Sequence, residues 1–116
     1  MDVPTFLNLL SEQPEQNTFE HTMSVIDGYY SFTPTAFTNG AVVNEANTNN
    51  GSCKIFAFAK YHELDEATTL ACFGKFYYED VLQHPEDDGH QNIRNFMKTG
   101  WNGIRFETFP LTPKVL

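Results

Sequence analysis

Residues 32–59 read FTPTAFTNGAVVNEANTNNGSCKIFAFA, and this stretch limits the fold more tightly than any other. Pro34 ends any helix arriving from the N-terminal side, because the residue before a proline is pushed out of the helical region. Asn39-Gly40 supplies the positive φ angles of a tight hairpin, with Ala36, Phe37 and Thr38 on one flank and Ala41, Val42 and Val43 on the other. The polar run at 46–51, ANTNNG, can be ordered only by hydrogen bonds within itself or to a partner. After it, Cys53, Ile55, Phe56, Phe58 and Ala59 place apolar side chains almost all round a helix reaching about Tyr61. That pattern predicts a central, buried helix with Ser52 as its N-cap.

The remaining segments predict more helix. Val3, Phe6, Leu7 and Leu10 recur at i, i+3, i+4, i+7 behind an Asp2 cap, with Pro4 in the first turn and Pro14 beyond the end. A second helix is expected from Asn17 or Thr18, where Asn17-x-x-Glu20 has the shape of a capping box. Its apolar face is Phe19, Met23, Ile26 and Tyr30. Asp65 opens what reads as the longest helix, its period held by Ala67, Leu70, Ala71, Gly74, Tyr77, Tyr78, Val81 and Leu82 until Pro85. Gly74 on that face predicts a close helix crossing. A last helix carries Ile93, Phe96 and Met97 after an N-cap at Asp87 or Asp88, and Gly100 and Gly103 end it. Alternation from Ile104 to Thr108 predicts a strand pairing with the hairpin. The expected fold is one α+β domain over residues 1–116, mainly helical, with about five helices and a small antiparallel sheet.

Composition bounds the function. Apolar residues make up 41% of the chain and 11 residues are Phe, too many for a disordered protein. Acids outnumber Lys plus Arg by 15 to 7, a net charge of −8, and the cations are scattered, so nucleic acid and anionic membranes are poor partners. No apolar run approaches the roughly 20 residues a bilayer requires. The opening Met1-Asp2-Val3-Pro4 lacks a basic region before an apolar one, so no classical signal peptide is expected. Cys53 and Cys72 both fall on apolar helical faces, which predicts reduced core thiols and a reducing cytosol.

Several ordered blocks carry a resemblance to a known family. They are the 32–59 stretch, DVLQHP at 80–85, NIRNFM at 92–97 and GWNGIRF at 100–106. Together they resemble the HopJ family, which takes its name from a protein assigned to the type III effectors of plant-pathogenic bacteria. The resemblance implies a bacterial protein, cytoplasmic or delivered into a host cell by type III secretion, and it implies no particular reaction. A host protein is the partner that such delivery implies. The HopJ pattern is expected to carry an Asp-His pair ahead of Asn-Ile-Arg, whereas here Gly89 precedes His90.

The residues themselves offer one leading candidate site. Unpaired N–H groups at a helix start, the flexible Gly51, the Ser52 hydroxyl and the Lys54 ammonium together attract a small anion. The side chains of Asn49 and Asn50 add donors, and Asn44, after the hairpin turn, borders the place. The G-x-x-x-x-G-K-[ST] spacing of a P-loop is absent. The competing reading is a capped helix with Lys54 in water. Cys53, in the first helical turn beside Lys54, is read as core in preference to a nucleophile activated by a lowered pKa. The residues from His84 to His90 hold two imidazoles and three carboxylates but match no metal-ligand spacing, and they read as a solvated turn. Glu20, His21 and Asp27 read as helix-capping and solubilising groups, Arg94 as pairing with local carboxylates, and Trp101 as core. No cofactor and no metal is expected, and no catalytic signature is recognisable. Two functions follow: a protein-interaction module acting on a host protein, or a cytosolic housekeeping protein that binds or acts on a small anionic metabolite.

Overall fold

The computed structural model describes residues 1–115. The first helix, α1 (Val3–Glu12), begins as the periodicity predicts: the Asp2 carboxylate accepts from the Thr5 N–H at 2.9 Å, and Phe6 and Leu10 go into the core. A 3-10 turn at Pro14–Gln16 leads to α2 (Phe19–Tyr29). Its cap is Thr18, whose hydroxyl accepts from the His21 N–H at 3.0 Å, while Asn17 lies buried beneath the turn. Tyr30 does not extend α2. It opens β1 (Tyr30–Phe32), which runs directly out of the helix.

The hairpin is present as β2 (Phe37–Asn39) and β3 (Val42–Asn44). Asn39 pairs with Val42, so the two-residue loop is Gly40-Ala41, one place later than Asn39-Gly40, and Gly40 takes a φ of +59°. Asn39 consequently stays in the strand and is fully buried. The chain then forms α3 (Asn50–Tyr61) and α4 (Glu66–Ala71), the latter capped by Asp65. A π-helical turn at Phe76–Val81 follows, then α5 (Gln91–Thr99), a 3-10 turn at Gly100–Gly103, β4 (Ile104–Phe106) and β5 (Leu111–Pro113). The architecture is mainly helical α+β.

Two small antiparallel sheets replace the single expected one. In the first, β2 is central between β3 and β4, with Phe37 opposite both Asn44 and Phe106, so the predicted pairing of β4 with the hairpin holds. In the second, β1 pairs with β5, Tyr30 facing Pro113 and Phe32 facing Leu111. Helix α3 lies at the centre, with Ile55, Phe56, Ala57, Phe58 and Ala59 all inaccessible. The Phe56 ring meets Phe96 at 4.9 Å, Phe73 at 5.6 Å and Phe37 at 6.2 Å between centroids, tying α5, the segment after α4 and β2 to one side chain.

The long helix expected from Asp65 to Leu82 is broken. Gly74 adopts a φ of +59°, and a Cβ there would stand 2.8 Å from the Phe19 main-chain nitrogen. The close approach read from Gly74 is therefore real, but the partner is the start of α2 and the chain turns to admit it. Beyond Gly74 the helix resumes wider, with the Leu82 N–H donating to the Tyr77 carbonyl five residues back, at 3.0 Å.

Candidate functional site

Both expected caps near the site prove wrong, and for the same reason. Helix α3 starts at Asn50 behind Asn49, and α5 starts at Gln91 behind His90. Asn49 (φ 40°) and His90 (φ 57°) are both left-handed, and neither side chain caps its helix. Ser52 therefore lies inside the first turn of α3, and Asp87 and Asp88 lie in the preceding loop. Left-handed conformations are rare outside glycine, so local propensity favours Ser and Asp as caps, and the fold overrides it.

The two uncapped helix starts open onto one cleft of about 360 Å³. Asn49, Gly51 and Ser52 line it from α3, and His90, Gln91, Asn92 and Ile93 from α5. Phe19, Phe73 and Phe76 form an aromatic wall. Gly51 lets the Phe19 ring come close: a Cβ there would stand 2.7 Å from the tip of that ring, so the ring would have to shift to admit one. The His90 ring lies against Phe76, with centroids 5.1 Å apart, and its Nε2 meets Asp80 Oδ2 at 3.1 Å.

Beneath the cleft a set of buried asparagines joins the helix starts to the sheet. Asn44 Oδ1 accepts from Asn49 Nδ2 at 2.8 Å and from Asn92 Nδ2 at 2.9 Å. Asn92 Oδ1 accepts from Asn44 Nδ2 and Asn39 Nδ2, both at 3.1 Å, and Asn39 Nδ2 also donates to the Asn92 carbonyl at 2.7 Å. Asn39 Oδ1 has no partner. That one acceptor apart, the amide groups pair with one another, and such a network is rigid, because a rotation anywhere strands a further buried polar group.

The six candidate residues separate on this geometry. Asn49, Gly51 and Ser52 line the cleft, and Asn44 holds it from below. Asn50 faces the loop, its Nδ2 3.4 Å from Asn47 Oδ1. Lys54 is elsewhere: its Nζ pairs with Asp27 Oδ1 at 2.8 Å and lies 5.1 Å from the centre of the Phe32 ring. Two residues along a helix is a rotation of about 200°, so Ser52 and Lys54 point in opposite directions. The α5 half of the cleft was not legible. Its one signal, a His beside two amide residues at a helix start, is ordinary surface composition.

The remaining candidates resolve as structure. Burial pushes the Cys53 thiol up to about 11, against a smaller opposing hydrogen bond from the Thr35 backbone, and pushes the Cys72 thiol up to about 12. Both are free thiols, buried and poor nucleophiles. Arg94 does not meet carboxylates; its guanidinium donates to the carbonyls of Gly89 at 2.6 Å and of Pro85 and Asp80 at 3.4 Å. Trp101 packs edge-on against Phe96 and donates to the Leu64 carbonyl at 2.9 Å. Among the described residues no three His, Cys, Asp or Glu side chains gather as a metal site, and no helix is long and apolar enough to cross a membrane. One pair has no signature in the sequence: the Tyr30 hydroxyl lies 2.6 Å from His62 Nε2. Burial raises the Tyr30 pKa, with Tyr61 adding to it, and lowers that of His62.

A small α+β domain with a rigid, mixed polar and aromatic cleft is the class that fold and site define. Residues 3–111 match the family described as HopJ type III effector protein, and the chain belongs to that family. It is also similar to VPA0580, a protein of unknown function whose crystal structure shares a TM-score of 0.97 and 61% identity, covering 98% of this chain and 95% of that one. No curated protein matches the chain.

Proposed function

We propose that this effector-like domain acts by binding, and that its recognition site is the cleft where α3 and α5 begin. The ligand is a small molecule or side chain with an anionic head and an apolar body. One observation carries this reading: two helix starts, each with an uncapped N-terminus, meet in a single cleft walled by Phe19, Phe73 and Phe76. Unpaired N–H groups and the positive ends of two helix dipoles favour an anion even in a protein of net charge −8. The aromatic wall suits a flat apolar body, and the asparagine network keeps the donors in place before binding. Lys54 has no part in this site.

The test is NMR titration of ¹⁵N-labelled protein with benzoate, phenyl phosphate and inorganic phosphate. Saturable shifts at the amides of Gly51, Ser52, Gln91 and Asn92, abolished by Ser52→Asp, support the reading. Shifts centred elsewhere, or unaffected by that substitution, overturn it. Family membership favours a second reading, in which the chain is carried by type III secretion into a host cell and binds a host protein there. A translocation reporter fused to the C-terminus, compared in secretion-competent and secretion-deficient bacteria, decides that point.

A further inference from the structure

His90 brings to the cleft a group that the helix starts do not supply. Its imidazole lies against the Phe76 ring, with centroids 5.1 Å apart, and its Nε2 meets Asp80 Oδ2 at 3.1 Å. Both contacts come from the π-helical turn, where Phe76 and Asp80 stand about one turn apart and so share a face. Arg94 pins the main chain behind both groups, donating to the carbonyl of Gly89 at 2.6 Å and to that of Asp80 at 3.4 Å. An ionised carboxylate can only accept. A neutral His90 ring therefore carries its proton on Nε2, toward Asp80, and keeps the lone pair of Nδ1 open. Asp80 is its one hydrogen-bond partner among the described residues. The amide oxygens beside it are already taken: Asn92 Oδ1 accepts from Asn39 and Asn44, and Gln91 Oε1 accepts from Asn95 at 3.2 Å.

We infer that His90 Nδ1 accepts a hydrogen bond from the ligand, so that the cleft selects an aromatic acid carrying a hydroxyl or N–H group over one that carries none. This rests on the anion cleft proposed above and narrows its ligand. The carboxylate meets the free N–H groups at the start of α3, the ring lies along Phe19, Phe73 and Phe76, and the donor reaches across to His90. Opposite hydrogen-bonding sense on the two sides fixes which way round the ligand sits. Asp80 is a positioning residue, acting only through the ring it orients. The His90 side chain is 36% exposed, so water can satisfy Nδ1 when the ligand lacks a donor. The preference should accordingly be about tenfold, against the roughly ten-thousandfold of a sealed site.

The probes are meta- and para-hydroxybenzoate, compared at pH 8 with benzoate and with the methyl ether of each hydroxy acid. NMR titration should show one hydroxy acid binding about tenfold more tightly than benzoate and than its own ether. Its binding should shift the Gly51 and Ser52 amides and the His90 ring nitrogens together. Long-range ¹H–¹⁵N spectra of the free protein should find the ring proton on Nε2. His90→Phe, which removes the acceptor, should bring the ratio of hydroxy acid to benzoate affinity close to one. Asp80→Asn keeps the imidazole and tests the same point should the first variant fold poorly. An amide can donate to Nε2, so the ring proton should move in part to Nδ1 and the ratio should fall. A proton on Nδ1 in the wild-type ring, or a ratio that neither variant changes, overturns the inference. Benzoate shifting the Gly51 and Ser52 amides with no advantage to either hydroxy acid overturns it too, while leaving the anion cleft in place. Amides that respond to none of these acids sink both readings.

Discussion

Asn92 is the residue whose replacement tests the site most directly. Its side chain donates to Asn44 Oδ1 at 2.9 Å and accepts from Asn44 and Asn39 at 3.1 Å each. In Asn92→Ala all three bonds go. Asn39 keeps the main-chain carbonyl of residue 92, whereas Asn44 Nδ2 is left with the Phe37 carbonyl at 3.4 Å. Stranding that one donor and losing the net value of the bonds should destabilise the fold by about 2–4 kcal/mol. Asn92→Asp is the sharper perturbation, because it sets an oxygen 2.9 Å from Asn44 Oδ1, acceptor against acceptor. Ionised and buried, the new carboxylate should destabilise at least as much as alanine at pH 7.

Protonation restores an O–H donor, so the folded state should hold that proton to higher pH than the unfolded chain, whose carboxyl titrates near 3.9. The penalty is therefore least below about pH 4. Between the unfolded and folded pKa values it grows by about 1.4 kcal/mol for each tenfold fall in proton concentration, and it is complete once pH has risen through the folded value. Urea melts followed by the fluorescence of Trp101, the single tryptophan, give both quantities. A loss under about 0.5 kcal/mol for Asn92→Ala, or an Asn92→Asp penalty flat between about pH 4.5 and 7, would refute the view that these amides act as one hydrogen-bonded unit.

Phe56→Ala should lower stability by about 3–5 kcal/mol in the same melts, since the ring is fully buried among Phe37, Phe73 and Phe96. Cys53 and Cys72, with thiols raised to about 11 and about 12, should resist iodoacetamide at pH 8 in the folded protein, and both should label once urea unfolds it. His62 has its pKa lowered by burial from 6.5, so the stability its neutral form contributes is complete above pH 6.5 and is lost as pH falls below it. Melts at pH 7.5 and 5 should show that loss, and His62→Gln should diminish it.

What could be read from the residues depended on whether the deciding interaction was local. Helix α1 was legible because its cap and stripe lie within one segment, from Asp2 to Leu10. Helix α3 was legible because an apolar surface on every side has only one stable place. The break at Gly74 was not, since Leu70, Tyr77 and Val81 keep a near-helical spacing on either side of it; only the approach of Phe19, distant in sequence, demands the turn. Strand β5 escaped notice because Pro110 and Pro113 frame too few residues to show alternation. A local turn signal singled out Gly51 and Ser52, and both line the candidate cleft. Lys54 was included by proximity along the chain and excluded by helical rotation. Asn92 and His90 reach the cleft only through tertiary folding.

The strand pairings also govern when the molecule can form. Tyr30 is matched with Pro113 and Asn39 with Ile104, and both Ile104 and Leu111 are core residues. During synthesis the N-terminal helices emerge first, yet neither sheet is complete until the final strands leave the ribosome. At about 5–20 residues per second, the interval between the emergence of β1 and that of β5 is several seconds. Throughout it the apolar surface of α3 lacks part of its cover, and α1 has an unfinished core to dock on. The last strands thus act as a clock, and any factor that engages this chain before it is folded has those seconds in which to do so.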